Sequence, residues 1–276
     1  MMKVILCGNR TSVLEVLLSD HTSFDIEIWA VANSHLEKWV NKNNYVGAST
    51  LNNKEQFQYL LLNREYDIFV SNGCPFIVPE SILSHRNSNK YINIHPSPLP
   101  ELRGADPVPG AILFNRLFGA TCHEIDQSID TGDIISRVQI ENTDTEFVTE
   151  MYPRIFGKEE EVIKLAIERN FSPIETQSVD GTEAYYTFSK FDNFILPHDE
   201  SITVARKFRA FDNWNKGLWL QVGPDIAERV VEIHFQGTNE ILRSPAKLTS
   251  MQIFSHERAL DDQRLIIKTS HNRDLK

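Results

Sequence analysis

Apolar positions in the first 140 residues come in short runs, separated by stretches with helical spacing. MKVILCG, DIEIWAVAN, the run around Gly47 to Thr50, YDIFVSNG and YINIHPS read as strands, rich in β-branched and aromatic residues. Between them, residues of about 11–19, HLEKWVNKN, KEQFQYLLLNR and PESILSHR read as helices, and ADPVPGAILFNRL follows the fifth strand. Strands alternating with helices predict βαβ units and an α/β fold with a doubly wound, mostly parallel sheet. GATCHEID and DIISRVQIE, joined through SIDTG, predict a closing pair of strands. Residues 145–169 predict one long helix with Thr145 near its N-cap. From about residue 174 the rhythm changes: TEAYYTF, a helix over about 201–211, and short runs such as LWLQV and VVEIHF predict a small C-terminal α+β appendage. The division expected is 1–172 for the main domain and 173–276 for the appendage.

The fifth strand carries candidate chemistry. Side chains on a strand alternate faces, so Asn93 and His95 leave the same one, and prolines at 96, 98 and 100 stop the strand just beyond them. In an open α/β sheet, ligands collect outside the carboxyl ends of the strands, and SNGCPF follows such an end as well. An amide donor and an imidazole placed there can polarise a carbonyl and stabilise the oxyanion that follows. A nearby carboxylate would set the charge and tautomer of the imidazole, and Asp130 in IDTGDI is the candidate.

Composition narrows the class. A chain of 276 residues, 41% hydrophobic and 24% charged, predicts a soluble globular protein with one main domain and a smaller piece. Cys7, Cys74 and Cys122 are far apart and sit in apolar surroundings, which predicts buried thiols of a reducing compartment, not a disulfide framework or a zinc site. The apolar start of MMKVILCGNR is too short for a signal-peptide core, and no apolar run approaches the roughly 20 residues of a membrane span. A cytoplasmic protein without a membrane partner is expected. The net charge is −10 and the charges beyond residue 191 roughly cancel, so the basic footprint of a nucleic-acid binder is lacking. CGNRTSV has one glycine where a phosphate loop would have two or three.

The ordered set Asn-x-His-Pro-Ser, Leu-Pro, Arg-Gly, a proline with an Ala-Ile helix, Gly-x-Thr-x-His-x-Ile-Asp and Asp-Thr-Gly-Asp-Ile, within about 71–134, resembles the formyltransferase family. The resemblance implies transfer of a formyl group from N10-formyltetrahydrofolate to an uncharged amine, with no metal. It implies that Asn93, His95 and Asp130 are catalytic. Asn93 and protonated His95 would stabilise the tetrahedral oxyanion, while Asp130 holds the histidine charge and helps remove the amine proton through water. Asp126, Gln127 and Ile129 match the loop that closes on the pterin ring, and Pro75, Phe76 and Ile77 match the opposite wall. Phe76 and Ile77 can equally be plain core residues. Arg103 fits the family's Arg-Gly loop, where it contacts the acceptor or braces the loop. His123 either braces the Asp130 loop or touches substrate; His95, His123 and Asp130 together lack a recognisable metal-ligand spacing.

Three branches of the family differ in acceptor. The purine-pathway enzyme is one domain with a glycine-rich phosphate loop, which this chain lacks. Methionyl-tRNA formyltransferase is longer and has a basic C-terminal barrel. The sugar N-formyltransferases have this length and act on nucleotide-linked amino sugars of surface polysaccharides such as the O-antigen of lipopolysaccharide. Similarity to that branch implies a homodimer and a dTDP-linked acceptor, with dTDP-4-amino-4,6-dideoxyglucose as the expectation. In VARKFRAFDNWNKGLWL, Arg206 and Arg209 share a helix face with Phe211 and Trp214 close behind, a pattern able to hold a diphosphate and stack a base. The same pattern also fits an amphipathic helix that buries Val204, Phe208 and Phe211. The remaining alternatives are methionyl-tRNA as acceptor, and a catalytically idle fold used as a binding module.

Overall fold

In the computed structural model of the protein, strand β1 (Met2–Gly8) sends alternate residues into two different cores. Val4 and Leu6 enter one, Ile5 and Cys7 the other. Such a strand is covered on both faces, as parallel sheets require. The structure describes all residues except 86–87, 179–180, 182, 214–215, 225, 239, 245–253, 260–262 and 275–276, and only the backbone of 271–274. Among the described residues no helix is long and apolar enough to cross a membrane.

The chain packs as two units. The first comprises Met1–Gly104, Leu117–Ile140 and Arg154–Tyr185. Its strands are β1, β2 (Phe24–Val31), β3 (Ala48–Leu51), β4 (Ile68–Asn72), β5 (Lys90–His95), β6 (Phe118–Glu124) and β7 (Ile134–Ile140), in the order β3-β2-β1-β4-β5-β6-β7. The first five strands run parallel, and β6 and β7 close the sheet antiparallel. One face is covered by Leu14 and Leu17 of α1 (Leu14–Ser19), Leu36 of α2 (His35–Asn43), and Val162, Ile163 and Ala166 of α6 (Val148–Glu168). The other is covered by Phe57, Leu60 and Leu61 of α3 (Lys54–Asn63) and Ile82 of α4 (Glu80–His85). The strand order reverses between β1 and β4, which makes their carboxyl ends the switch point where ligands gather in such sheets.

The second unit comprises Ala105–Arg116, Glu141–Pro153 and Tyr186–Lys276. It contains α5 (Pro107–Phe114), the first turns of α6, α7 (Ser201–Phe211), and strands β8 (Trp219–Gly223), β9 (Ile226–Phe235), β10 (Ile241–Arg243), β11 (Phe254–Ala259) and β12 (Arg264–Asp274). The strands form an antiparallel sheet ordered β10-β9-β12-β11, with β8 also paired to β9. Val204, Ala205 and Phe208 of α7 pack on Val230, Ile233, Leu265 and Ile267 of that sheet.

The expected division at 172/173 falls inside the first unit, which runs to Tyr185. Residues beyond 172 return to it by backbone hydrogen bonds: Ile134 N to Glu175 O (2.8 Å) and Leu102 N to Ala184 O (2.7 Å). The helix expected from 145 begins at Val148, and the line between the units crosses it at its internal Pro153. The described residues of TEAYYTF form no strand, only an isolated bridge from Tyr185 to Arg103, and Thr182 lies outside the described residues.

Candidate active site

On β5 the period of two holds. Ile92 and Ile94 are buried among the aliphatic residues of one core, while Asn93 and His95 emerge on the opposite face. The proline-rich segment after them frames the site. Ser97 Oγ donates to Glu101 O (2.7 Å), and Thr121 Oγ1 of β6 donates to Ser97 O (2.7 Å) while accepting from Leu99 N (3.0 Å). The turn ends by presenting Leu102 O to His95 and the Gly104 N–H to Asp130.

Asp130 reaches the site from the far side. Its loop leaves β6 and returns to β7 through Gly132, where a Cβ would lie 2.0 Å from Glu124 O, so only glycine fits. Asp130 itself has φ +56°, a left-handed conformation that aspartate tolerates better than most residues. Its carbonyl accepts from Arg103 Nε (3.0 Å) and Gln177 Nε2 (3.2 Å), and its Oδ2 accepts from Gly104 N (3.0 Å). These contacts overdetermine the backbone and aim the carboxylate at His95 and Asn93.

The polar groups form an ordered set. His95 Nε2 donates to Leu102 O (2.9 Å), so Nδ1 is the open nitrogen, 3.6 Å from Asp130 Oδ2. His123 Nδ1 donates to Glu124 O (2.7 Å), which leaves Nε2 to accept from Asn93 Nδ2 (3.1 Å). Asn93 Nδ2 also donates to Asp130 Oδ1 (3.3 Å). Burial pushes the His95 imidazolium below its ordinary value, against the opposing charge of Asp130. Burial alone would raise the Asp130 carboxyl, but the His95 and His123 imidazoles and the Gly104 N–H outweigh it and hold the group well below the carboxylate range. The resting site at neutral pH therefore holds a carboxylate and a neutral, Nε2-protonated His95. This resting state is compatible with a protonated His95 at the oxyanion stage, since a buried imidazole takes its charge when a proton arrives.

The loops named for a folate ring leave the strands on either side of β5. Pro75 and Ile77 follow β4, with Ile77 70% exposed, so Ile77 is not a core residue. Phe76 packs on Phe57, their ring centroids 5.5 Å apart. After β6, Gln127 and Ile129 are exposed, and Asp126 closes its own loop by accepting from Ser128 N and Thr131 Oγ1. Arg103, a candidate acceptor contact, is buried and spends its guanidinium on Asp130 O and on Gln177 Oε1 (2.7 Å). It is a brace.

The α7 candidates are corrected too. Arg206 makes a forked pair with Asp144, through Nη2 at 2.6 Å and Nε at 3.0 Å. Arg209, 3% exposed, reaches Asp144 at 2.7 Å, and Phe211 is fully buried beside Phe188. Arg209 and Phe211 lie in the stripe that the helix buries, and the part-exposed Arg206 is held by Asp144, so a diphosphate there would compete with that carboxylate. Trp214 lies outside the described residues.

Sequence reasoning passed over Gln177, which nothing local marks, and a group beside the end of β5. Arg10 Nη2 donates to Ile94 O (3.1 Å) and pairs with the fully buried Glu159 (3.0 Å), which also accepts from Asn72 Nδ2 and Ser12 Oγ. A buried glutamate on a long helix gives no signal of its own; the 84-residue separation between Arg10 and Ile94 hides the rest.

Comparison with known proteins agrees with this geometry. Residues 17–167 match the family model described as formyl transferase. Methionyl-tRNA formyltransferase of Rickettsia rickettsii is 32% identical over 172 residues, which cover 60% of this chain and 55% of that protein. The chain thus spans about half the length of the curated relatives it matches. Among solved structures, an N-formyltransferase from Helicobacter canadensis in complex with folinic acid and dTDP-3-aminofucose shares the fold over 98% of this chain and 100% of its own, with TM-score 0.69 and 19% identity. A 4-N formyltransferase from Francisella tularensis does so over 79% and 92%, with TM-score 0.65 and 20% identity.

Proposed function

Because the chain belongs to the formyl transferase family, we propose that it moves the formyl group of N10-formyltetrahydrofolate to the amine of a nucleotide-linked amino sugar, at the cluster of Asn93, His95 and Asp130. The observation that carries the chemistry is the open Nδ1 of His95, 3.6 Å from an ionised Asp130. The amine nitrogen attacks the formyl carbon and forms a tetrahedral oxyanion. His95 Nδ1 takes the proton the amine sheds, and the resulting imidazolium is stabilised by Asp130. Collapse breaks the bond from carbon to N10, and His95 returns the proton to N10. The new imidazolium is the donor available to the oxyanion, and the Asn93 amide, whose two hydrogens rest on His123 Nε2 and Asp130 Oδ1, joins it by releasing one of them. The loops at 75–77 and 126–129 hold the pterin, with exposed Ile77 and Ile129 supplying apolar surface.

For the acceptor, a dTDP-linked 4-amino-4,6-dideoxyhexose is the expectation: the fold shared with the Helicobacter enzyme, whose structure holds dTDP-3-aminofucose, supports a dTDP-linked amino sugar, and the likeness to the Francisella 4-N formyltransferase supports the 4-amino position. The net charge of −10 supports a small acceptor too, because a tRNA-binding surface needs several cations to displace counterions from phosphates. The same reading makes the protein a homodimer through its second sheet, whose strands expose Val222, Ile226, Ile241 and Phe254; sedimentation at micromolar concentration checks this.

The 32% identity to a methionyl-tRNA enzyme favours a second reading, transfer to initiator tRNA. The deciding assay mixes N10-formyltetrahydrofolate with dTDP-4-amino-4,6-dideoxyglucose or with methionyl initiator tRNA and follows tetrahydrofolate release. Release with the sugar alone is expected. Release with tRNA alone overturns the acceptor, and none with a wide panel of amino sugars and tRNA leaves an idle fold.

A further inference from the structure

Two thiols face each other across the switch point of the first sheet. Cys7 is the penultimate residue of β1, and Cys74 lies just past the end of β4, two residues after Asn72. Their sulfurs are 3.4 Å apart, with Cys7 donating to Cys74. Gly8 makes the approach possible: a Cβ there would lie 2.0 Å from Asn72 O.

The two thiols differ in kind. Cys7 is fully buried, and burial raises its thiol well above the ordinary value. Cys74 is part-exposed, and the hydrogen bond from Cys7 lowers it against an opposing burial effect. One thiol is thus part-buried and stabilised toward ionisation by its neighbour, and a second, fully buried one lies behind it. This is the arrangement in which a first oxidation is resolved by a neighbour. Cys122 is the internal control, since it is fully buried with its thiol raised by burial.

We propose that Cys7 and Cys74 are a reversible oxidation site, whose disulfide draws the 73–77 loop toward β1 and weakens binding of the folate donor. The oxidant is a peroxide. The Cys74 thiolate attacks a peroxide oxygen, the O–O bond breaks, and Cys74 becomes a sulfenic acid as the other oxygen leaves as water. The Cys7 sulfur then attacks the Cys74 sulfur, an S–S bond forms, and the hydroxyl leaves as water with the Cys7 proton. Two thiols lose two electrons and the peroxide gains them.

The loop connects chemistry to consequence. Gly73 has φ +72° and a Cβ there would lie 2.1 Å from Asn9 Oδ1, and Phe76, two residues past Cys74, packs against Phe57. A covalent bond in place of a 3.4 Å contact moves Cys74, and Pro75 to Ile77 follow it. The consequence for the donor rests on the function proposed above; the oxidation itself does not.

The test treats the intact protein with equimolar hydrogen peroxide, blocks free thiols, and maps the peptides by mass spectrometry. Expected is a Cys7–Cys74 linked pair short of two hydrogens, with Cys122 blocked as a free thiol and the link removed by dithiothreitol. Cys74 carried on to sulfinic acid with Cys7 still free, or no loss of free thiol, overturns the proposal. In parallel, the affinity for 5-formyltetrahydrofolate is expected to fall about tenfold on oxidation, an effect of misplaced binding groups, and to be restored by dithiothreitol. A Cys7→Ala protein should show neither change. A disulfide that forms with unchanged affinity overturns the coupling to the donor loop. If reduced protein binds no folate at all, the proposed function fails while the peptide map still decides the thiol chemistry.

Discussion

The molecule holds two polar clusters that look alike in sequence and differ in how completely they are paired. In the first unit, His95 Nδ1 and Asp130 Oδ2 stop 3.6 Å apart, beyond hydrogen-bonding distance, and each is anchored from behind by backbone groups. In the second unit, Asp144 is gripped by Arg206 at 2.6 Å and Arg209 at 2.7 Å, while Lys207 bonds both oxygens of Asp199 and the carbonyl of Phe194. A group whose partner stops short has capacity for a substrate atom or a water in the gap. A group bonded at full strength has spent it on the fold. Charge and spacing along a sequence do not separate these cases; the distance to the nearest opposite charge does.

Breaking the open cluster should cost rate, and breaking the closed one should cost stability. His95→Ala or Asp130→Asn is expected to lower turnover by about 100- to 1000-fold, as loss of an oxyanion-stabilising group does, far more than any accompanying fall in melting temperature explains. Lys207→Met strands Asp199 without its cation, and removal of one partner of a buried pair costs roughly 3–5 kcal/mol. Its melting temperature should fall while the folded protein keeps its donor affinity. Arg209→Ala should move in the same direction by less, since Asp144 retains Arg206. A rise in acceptor KM for Arg209→Ala without loss of stability would return α7 to the binding surface.

How much of this was legible depended on whether the determinants were local. The βαβ rhythm, the antiparallel closing pair and the α7 span from Ser201 to Phe211 follow from periodicity, and the structure has them. Asn93 and His95 were readable because strand alternation fixes their common face. Asp130 was a candidate as an acidic residue on a glycine turn, and the resemblance gave it a catalytic role. The framing of the site was not readable. Arg103 meets Gln177 across 74 residues, and Arg10 meets Ile94 across 84, with no pattern linking either pair. The compact unit runs past the expected line at 172 for a related reason: the return of Ile174 and Glu175 to β7 is a backbone contact, blind to side-chain type. The reading of Arg206 and Arg209 missed Asp144, which lies more than 60 residues before them.

A smaller effect sharpens the line between touching substrate and holding what touches it. Arg103 and Gln177 both donate to the Asp130 carbonyl, and Arg103 Nη2 also donates to Gln177 Oε1. Arg103→Lys keeps the charge and loses the fork, and Gln177→Ala removes the second donor. Each is expected to lower kcat about tenfold by loosening Asp130, with the acceptor KM unchanged. An Arg103→Lys protein whose KM rises at constant kcat would place Arg103 on the acceptor instead.

The smallest expected effect is a shift in pH dependence, and it tests the resting charge of His95. Free histidine titrates near 6.5; burial lowers His95 below that, while Asp130 pulls the other way. If His95 must be neutral to take the amine proton, kcat/KM should fall on the acid side with an apparent pKa below 6.5, since that limb reports the free enzyme. Asp130→Asn removes a charge that favours the imidazolium, so the acid limb of its residual activity should move to lower pH still. The stability effect has a definite sign. The unfolded chain binds the His95 proton more readily than the folded one, so the His95 contribution is full above pH 6.5 and is lost as the pH falls from there to the folded value. Asp130 acts lower: its contribution is full above about pH 3.9, the unperturbed aspartate value, and is lost as the pH falls toward its depressed folded value. Melting temperatures measured at pH 7 and pH 5.5 should therefore drop more for the wild type than for His95→Gln. An equal drop in the two proteins, with an acid limb at or above 6.5, would mean that His95 rests protonated, and that the open cluster carries its charge before substrate arrives.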